Sequence, residues 1–140
     1  MSTALTRIKE IVPGGNFVVL DTETTGIDYR AEIVQIGIVG SDGATLINCL
    51  LKPSMPIPPE ATAIHGVTDA MVANAPRLAD VAEQVREALA GRVVIVYNAE
   101  YDLRLLNQTA RMQGLTTDWR TVPARWICAM LAYAEHRGEP

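Results

Sequence analysis

The stretch FVVLDTETTG, residues 17–26, decides the fold of this 140-residue chain. Its first four residues are apolar and mostly β-branched or aromatic, which predicts a strand buried on both faces. Asp21 and Glu23 follow directly, and on a strand they would lie on the same face. Two such carboxylates repel each other, and a divalent cation held by oxygen ligands would stabilise them. The alternative is that the strand ends earlier and both acids lie in a solvated turn.

The segments on either side predict a mixed sheet. Residues 32–40 and 44–51 are expected to form a second and a third strand, joined by a tight turn at residues 41–43. Consecutive strands with short connections predict an antiparallel meander. The run VVIVY within residues 92–97 predicts another buried strand.

Helices are predicted around these strands, so the fold class is α/β. The first expected helix runs from Pro59 to Gly66. The second begins after an N-cap at Thr68, with Val67 and Val72 placed for a hydrophobic staple. Further helices are expected over residues 77–90, from a cap at Asn98 to about residue 113, and over residues 125–137. Residues 1–15 form a lead-in segment with a turn at its end. The length fits a single domain spanning residues 1–140.

Composition narrows the function classes. The net charge of −4 argues against a protein that coats duplex nucleic acid through a broad basic face. It does not exclude an enzyme that holds the end of one strand. Cys49 and Cys128 are expected to be free, buried thiols in a reducing compartment. No apolar run approaches the roughly 18 residues of a membrane span, and residues 1–10 lack a signal-peptide core, so a cytoplasmic protein without membrane contact is expected.

A third carboxylate belongs to the helix that begins after Asn98. Asp102 shares its helical face with Leu105 and Leu106, so it is expected to face the sheet. The alternative is an acid that is favoured by the positive end of the helix dipole. A third acid facing the sheet is what a two-metal site requires.

Several motifs carry a family resemblance. DTETTG (21–26) and YNAEYD (97–102) resemble the first two motifs of the DnaQ-like (DEDD) 3′–5′ exonucleases. AIHGVTDAMV (63–72) resembles the loop between them, closer to the histidine branch, and WICAMLAYA (126–134) resembles the helix that follows. The resemblance implies an RNase H-like fold with a three-strand meander, and hydrolysis of terminal phosphodiesters that releases nucleoside 5′-monophosphates.

The resemblance also implies site residues. Asp21 would bridge two divalent cations, Mg²⁺ or Mn²⁺, while Glu23 and Asp102 would each hold one of them. The substrate-contacting residues would be Thr22, Thr24, Ile64, His65, Asn98 and Tyr101. Two of these have structural alternatives, since His65 lies at a predicted helix C-terminus and Asn98 could serve only as a cap.

The third family motif, H-x4/5-D or Y-x3-D, does not occur after Asp102. His136 has no aspartate at the required spacing, and Tyr133 has Arg137 at i+4. We therefore expect the chain to be incomplete at its C-terminus, and the 140 residues alone to be nearly inactive because a general base and a fourth carboxylate are missing.

The resemblance favours a proofreading or repair exonuclease acting on the 3′ end of a single strand, DNA more than RNA, with a DNA polymerase subunit as a candidate partner. An RNA-trimming exonuclease of the same fold and a non-catalytic nucleic-acid-binding or polymerase-accessory module are the alternatives. The sequence assigns no oligomeric state.

Overall fold

The computed structural model describes Gly14 and residues 16–131, so most of the lead-in segment lies outside the described residues. Within them, one mixed sheet contains the strands β1 (Phe17–Thr24), β2 (Ile33–Gly40), β3 (Thr45–Leu50), β4 (Val93–Val96) and β5 (Arg125–Cys128). Their order is β3-β2-β1-β4-β5. The first three strands are antiparallel, and β4 and β5 continue the sheet in parallel. The predicted meander and α/β class are confirmed.

The described helices are α1 (Pro59–His65), α2 (Asp69–Val72), α3 (Leu78–Leu89) and α4 (Ala99–Met112), with a 3₁₀ turn at Trp119–Thr121. Gly66 ends α1 at φ 79°, a left-handed conformation that favours glycine. The Thr68 hydroxyl accepts a hydrogen bond from the Met71 amide, as its predicted N-cap role requires. None of these helices is long and apolar enough to cross a membrane.

Both faces of the sheet are apolar near β1, which explains its continuous apolar sequence. Val18 and Leu20 belong to the main core, which contains buried side chains of α3 and α4. Phe17 belongs to a second cluster with Ile95 and Ile127. Because side chains alternate along a strand, Thr22 continues the row that faces the helices, while Asp21 and Glu23 continue the opposite row.

The prediction that both cysteines are free is confirmed, whereas their predicted full burial is not. Cys49 and Cys128 are both free and half-buried, and they pack against the main core. Burial raises the pKa of the Cys49 thiol.

The helix predicted over residues 125–137 is wrong in its first part. Residues 125–128 form β5, which pairs in parallel with β4 from Val93↔Arg125 to Val96↔Cys128. A short apolar run has no period that separates a strand from a helix. Here β5 supplies hydrogen-bond partners for the backbone amides and carbonyls along the outer edge of β4, which would otherwise lack them. Helical structure begins only at residue 129, and residues 132–137 lie outside the described part.

Candidate active site

Asp21 and Glu23 lie on β1 itself rather than in a turn. The strand extends to Thr24, and its pairing with β2 places Asp21 opposite Gly37 and Glu23 opposite Gln35. Asp21 is exposed and Glu23 is half-buried. Since Gly37 has no side chain, the sheet surface beside Asp21 stays open. The alternative of a solvated turn is therefore excluded, and both carboxylates share one accessible face.

Asp102 is buried in the first turn of α4, as its position on the apolar face predicted. Only 7% of the residue is exposed. Its Oδ1 accepts a hydrogen bond of 2.5 Å from the Thr22 hydroxyl. Thr22 therefore holds Asp102 against the end of β1, and its expected contact with substrate stays a prediction.

The three carboxylates form one electrostatic cluster. The pKa of Asp102 is raised to about 6, chiefly by burial; the Thr22 hydroxyl opposes the shift, and the negative charges of Asp21 and Glu23 contribute to it. Like charges that influence one another across a partly dry site are stabilised by a cation. The cluster thus couples a buried acid on α4 to two accessible acids on β1.

The donor chemistry fits Mg²⁺ or Mn²⁺, because both prefer carboxylate oxygens. Within residues 16–131, however, no three histidine, cysteine or acidic side chains converge closely enough to form a ready coordination shell. The predicted ligands Asp21, Glu23 and Asp102 therefore lie around the end of β1 but do not form a complete coordination shell. Metal coordination by these residues stays a proposal.

A cleft of about 530 Å³ adjoins Glu23, one of the three carboxylates. It is lined by the end of β1 and the loop after it, by α1 and by Tyr101 of α4. Five of the predicted substrate residues belong to it: Thr22, Thr24, Ile64, His65 and Tyr101. Ile64 is 84% exposed, and the neighbouring Ile27 is 79% exposed. The cleft therefore combines exposed apolar side chains with polar lining residues, which suits a base and a sugar.

Hydroxyl groups fix the interior of this cleft. Thr24 Oγ1 and Tyr101 Oη lie 2.8 Å apart, and each also lies within hydrogen-bond distance of the Gly26 carbonyl. Only two hydroxyl hydrogens are available for these three pairs of atoms, so at most two of the three hydrogen bonds form at once. The network can therefore donate a hydrogen bond to a ligand, or accept one, without a change in the loop.

His65 is engaged at both ring nitrogens. Its Nδ1 accepts from the Val67 amide at 3.0 Å, and its Nε2 lies 2.9 Å from the Thr24 carbonyl. Because Nδ1 accepts, Nε2 carries the hydrogen and donates to Thr24. The imidazole thus links the end of α1 to the end of β1, which supports the structural alternative and leaves the ring, rather than a free nitrogen, to line the cleft.

Asn98 is not in this cleft. It lies at the N-terminus of α4, but its side chain makes no capping hydrogen bond. Its backbone conformation, φ −127° and ψ 85°, differs from the extended geometry of Thr68, where capping does occur. The predicted position of Asn98 at the start of the helix is confirmed, but the predicted capping by its side chain is wrong. Glu100 and Asp102 in the first turn complement the helix dipole instead.

Two residues that line or hold the cleft were not identified from the sequence. Ile27 is one of the exposed apolar side chains of the cleft. Arg104 donates to the Ile27 carbonyl at 2.9 Å and lies over the Tyr101 ring, 5.6 Å from its centroid. The signal for Arg104 was its position three residues after Tyr101 on a helix, where side chains are neighbours. The loop that it holds could not be located from sequence alone.

Comparisons with known proteins identify the family that the chain resembles. A family model described as exonuclease matches residues 18–135. The chain is 47% identical over 125 residues to the uncharacterized exonuclease CP81 of Escherichia phage 186, an alignment that covers 88% of this chain. It is 32% identical over 117 residues to the DNA polymerase III subunit epsilon of Escherichia coli K12, covering 76% of this chain.

The chain is shorter than these relatives. It spans 64% of the length of the phage protein and 44% of the epsilon subunit. A solved structure of exonuclease X in complex with 5′ overhanging duplex DNA superposes with a TM-score of 0.59 at 28% identity, covering 87% of this chain and 73% of that one. The family match, the relatives and the RNase H-like sheet show that the chain belongs to the DnaQ-like exonuclease family.

Proposed function

We propose that this domain is a metal-dependent 3′–5′ exonuclease that releases nucleoside 5′-monophosphates from a single-stranded end. The observation that carries the proposal is the placement of the acidic cluster beside a cleft with exposed apolar side chains. The acids would hold the cations while the cleft holds the last nucleotide, so the terminal phosphodiester would lie between them.

The chain's own carboxylates define what the cations would do here. Asp21 would contact both cations, and Glu23 and Asp102 one each. When bound, the cations supply Lewis acidity that activates water and stabilises the departing 3′ oxygen. Thr22 keeps Asp102 aimed at the end of β1, so the buried acid is oriented before a cation arrives.

The cleft orients the terminal nucleotide. Thr24 and Tyr101 present hydroxyl groups to the sugar, and Ile27 and Ile64 present apolar surface to the base. Apolar contact with a base face tolerates any sequence, as a nuclease that removes successive nucleotides requires. Arg104 and Tyr101 fix the Gly26–Ile27 backbone, which keeps the cleft formed without substrate.

The DNA assignment is supported by the relatives, which include a subunit of DNA polymerase III and a protein solved with DNA. Association with a polymerase is proposed on the same basis. RNA trimming remains the second candidate among enzymes. A purely binding module fits less well, because burying Asp102 near two other acids is costly without a cation to bind.

The test uses the protein in its longest encoded form and two single strands of the same sequence, one linear and one closed into a circle. With Mg²⁺ or Mn²⁺ the linear strand is expected to shorten from its 3′ end and release monophosphates, and the circle is expected to stay intact. Asp21→Asn should abolish the reaction. Cleavage of the circle would show an endonuclease and contradict the proposal.

A further inference from the structure

A groove on the far side of Tyr101 from the cleft is lined by arginines. Its first part, about 530 Å³, is bounded by Asn98, Tyr101, Arg104, Arg111 and Arg120. Its second part, about 600 Å³, shares Arg111 and Arg120 and reaches Thr116 and Thr117. We refer to the two parts together as the arginine groove.

The arginine groove begins where the cleft ends. Tyr101 lines both, with its hydroxyl bonded to the Gly26 carbonyl on the cleft side. Arg104 lies over the same ring and donates to the Ile27 carbonyl. A strand whose last nucleotide occupies the cleft could therefore continue past Tyr101 into the groove without leaving the surface.

The arginines are arranged in a row. Arg104 and Arg111 are seven residues apart on α4, which places them on one face and about 10.5 Å apart along the axis. Arg120 contributes from the 3₁₀ turn. Guanidinium groups match phosphate oxygens in geometry and charge. This concentration is found in a chain whose net charge is −4, so it is not the result of a generally basic surface.

Two carboxylates also belong to the groove. Asp118 accepts hydrogen bonds from the Arg120 amide and the Asn107 side chain, so it holds the 3₁₀ turn together. Glu100 lies 3.4 Å from Arg120, with both side chains more than half exposed. An exposed pair of this kind is weak, and a phosphate can compete for the guanidinium. Glu100 thus acts as an internal competitor for Arg120.

We propose that the arginine groove binds the backbone phosphates of the substrate strand on the 5′ side of its terminal nucleotide. The proposal rests on the proposed function, since it requires the 3′ end to occupy the cleft. Binding through phosphates alone holds the strand without reading its sequence. The groove would therefore add affinity for long strands and none for a dinucleotide.

The test measures binding to the 140-residue chain by fluorescence anisotropy with Mn²⁺. The probes are a labelled single strand of about ten nucleotides, within the site sizes of single-strand binders, and a labelled dinucleotide, both with a hydrolysis-resistant terminal linkage. The variants are Arg111→Gln with Arg120→Gln, Glu100→Gln, and Arg125→Gln as a control. Arg125 is exposed at the opposite end of the parallel strands, so its substitution removes one positive charge, half the change in the double variant, away from the groove.

The double arginine variant is expected to bind the longer strand about two- to thirtyfold more weakly, the range that two exposed ion pairs cover. The slope of log affinity against log salt should fall by about 0.7 for each phosphate that the variant no longer neutralises. Dinucleotide binding should not change. Glu100→Gln should bind the longer strand more tightly because it frees Arg120, and Arg125→Gln should equal the wild type.

Two results would overturn the proposal. If Arg125→Gln and the double arginine variant lost the same affinity for each positive charge removed, only the net charge of the chain would matter. Unchanged binding in Glu100→Gln would mean that Arg120 does not meet the strand. Failure of the proposed function gives a different pattern, in which the wild type binds a closed circle as tightly as a linear strand and does not bind the dinucleotide.

Discussion

The hydrogen bond between Thr22 and Asp102 links the two motifs at the scale of single residues. Thr22 faces the helices while its neighbours Asp21 and Glu23 face the other way, so one strand segment both supplies acids and fixes a third. The bond shows why the residue between the two acids has a hydroxyl. A side chain without one would leave the buried carboxylate short of a donor.

Thr22→Val is expected to destabilise the metal-free protein by about 1.5–3 kcal/mol at neutral pH, the usual worth of a hydrogen bond to a charged group. Valine has nearly the same shape, so packing should change little. Thr22→Ser retains the hydroxyl and serves as the control. Chemical denaturation measures both, and equal stability of the valine and serine variants would mean that the hydroxyl contributes nothing.

Asp102 makes stability depend on pH. Its pKa of about 6 in the folded chain lies above the ordinary value of 3.8, so between these values the folded state binds more protons than the unfolded state. The metal-free protein should therefore lose stability as the pH rises from about 4 to about 6.

Asp102→Asn is expected to raise the melting temperature of the metal-free protein near pH 7.5, where it removes a buried charge, and to change it little near pH 4. Asparagine can still accept from Thr22. Thermal melts of both proteins across this pH range check the prediction. A shift of the same size at both ends would show that the substitution acts through packing instead.

Among the elements, those with an internal period or a terminal signal could be predicted. α3 and α4 follow the 3.6-residue apolar period, and α1 is bounded by Pro59 and Gly66. β5 could not be predicted, because its four residues form a strand only by pairing with β4. The same reason applies to the site. The acids were predictable from alternation and helical spacing, but the Thr22–Asp102 bond and the engaged nitrogens of His65 depend on how distant elements dock.

The pairing of β5 can be tested through Ile127. It is 7% exposed and packs against Phe17 and Ile95 on the sheet face opposite α3 and α4. Ile127→Ala is expected to cost about 2–5 kcal/mol, as for other buried isoleucines. Arg125→Ala, at an exposed position of the same strand, should stay within about 0.5 kcal/mol of the wild type. Similarly small losses of stability at both positions in urea denaturation would contradict the packing of Ile127 of β5 against this face of the sheet.

At the scale of the whole molecule, the sheet brings the acids of two motifs to one end of β1, and the arginine groove leads away from it. The 140 residues contain no histidine or tyrosine with an aspartate at third-motif spacing after Asp102. Within these 140 residues, the side chains proposed to hold cation and nucleotide therefore occur without the general base that the family pattern would add.

The 140-residue chain is expected to be at least about 10²–10⁴-fold slower than a form that contains a third motif, the usual worth of a general base. Binding of a nucleoside monophosphate should survive, because the cleft is formed by described residues. Side-by-side assays on a labelled single strand with Mn²⁺ check this. Comparable rates would mean that a residue within the chain serves as the base.

The central claim is that Asp21, Glu23 and Asp102 form one divalent-cation site, and titration of Mn²⁺ by calorimetry tests it most directly. The wild type should bind Mn²⁺, Asp21→Asn should bind it most weakly, and Asp102→Asn should also have reduced affinity. Glu87→Gln, which removes an exposed acid from α3, should bind as the wild type does. Binding of Mn²⁺ by Asp21→Asn with wild-type affinity would contradict the account.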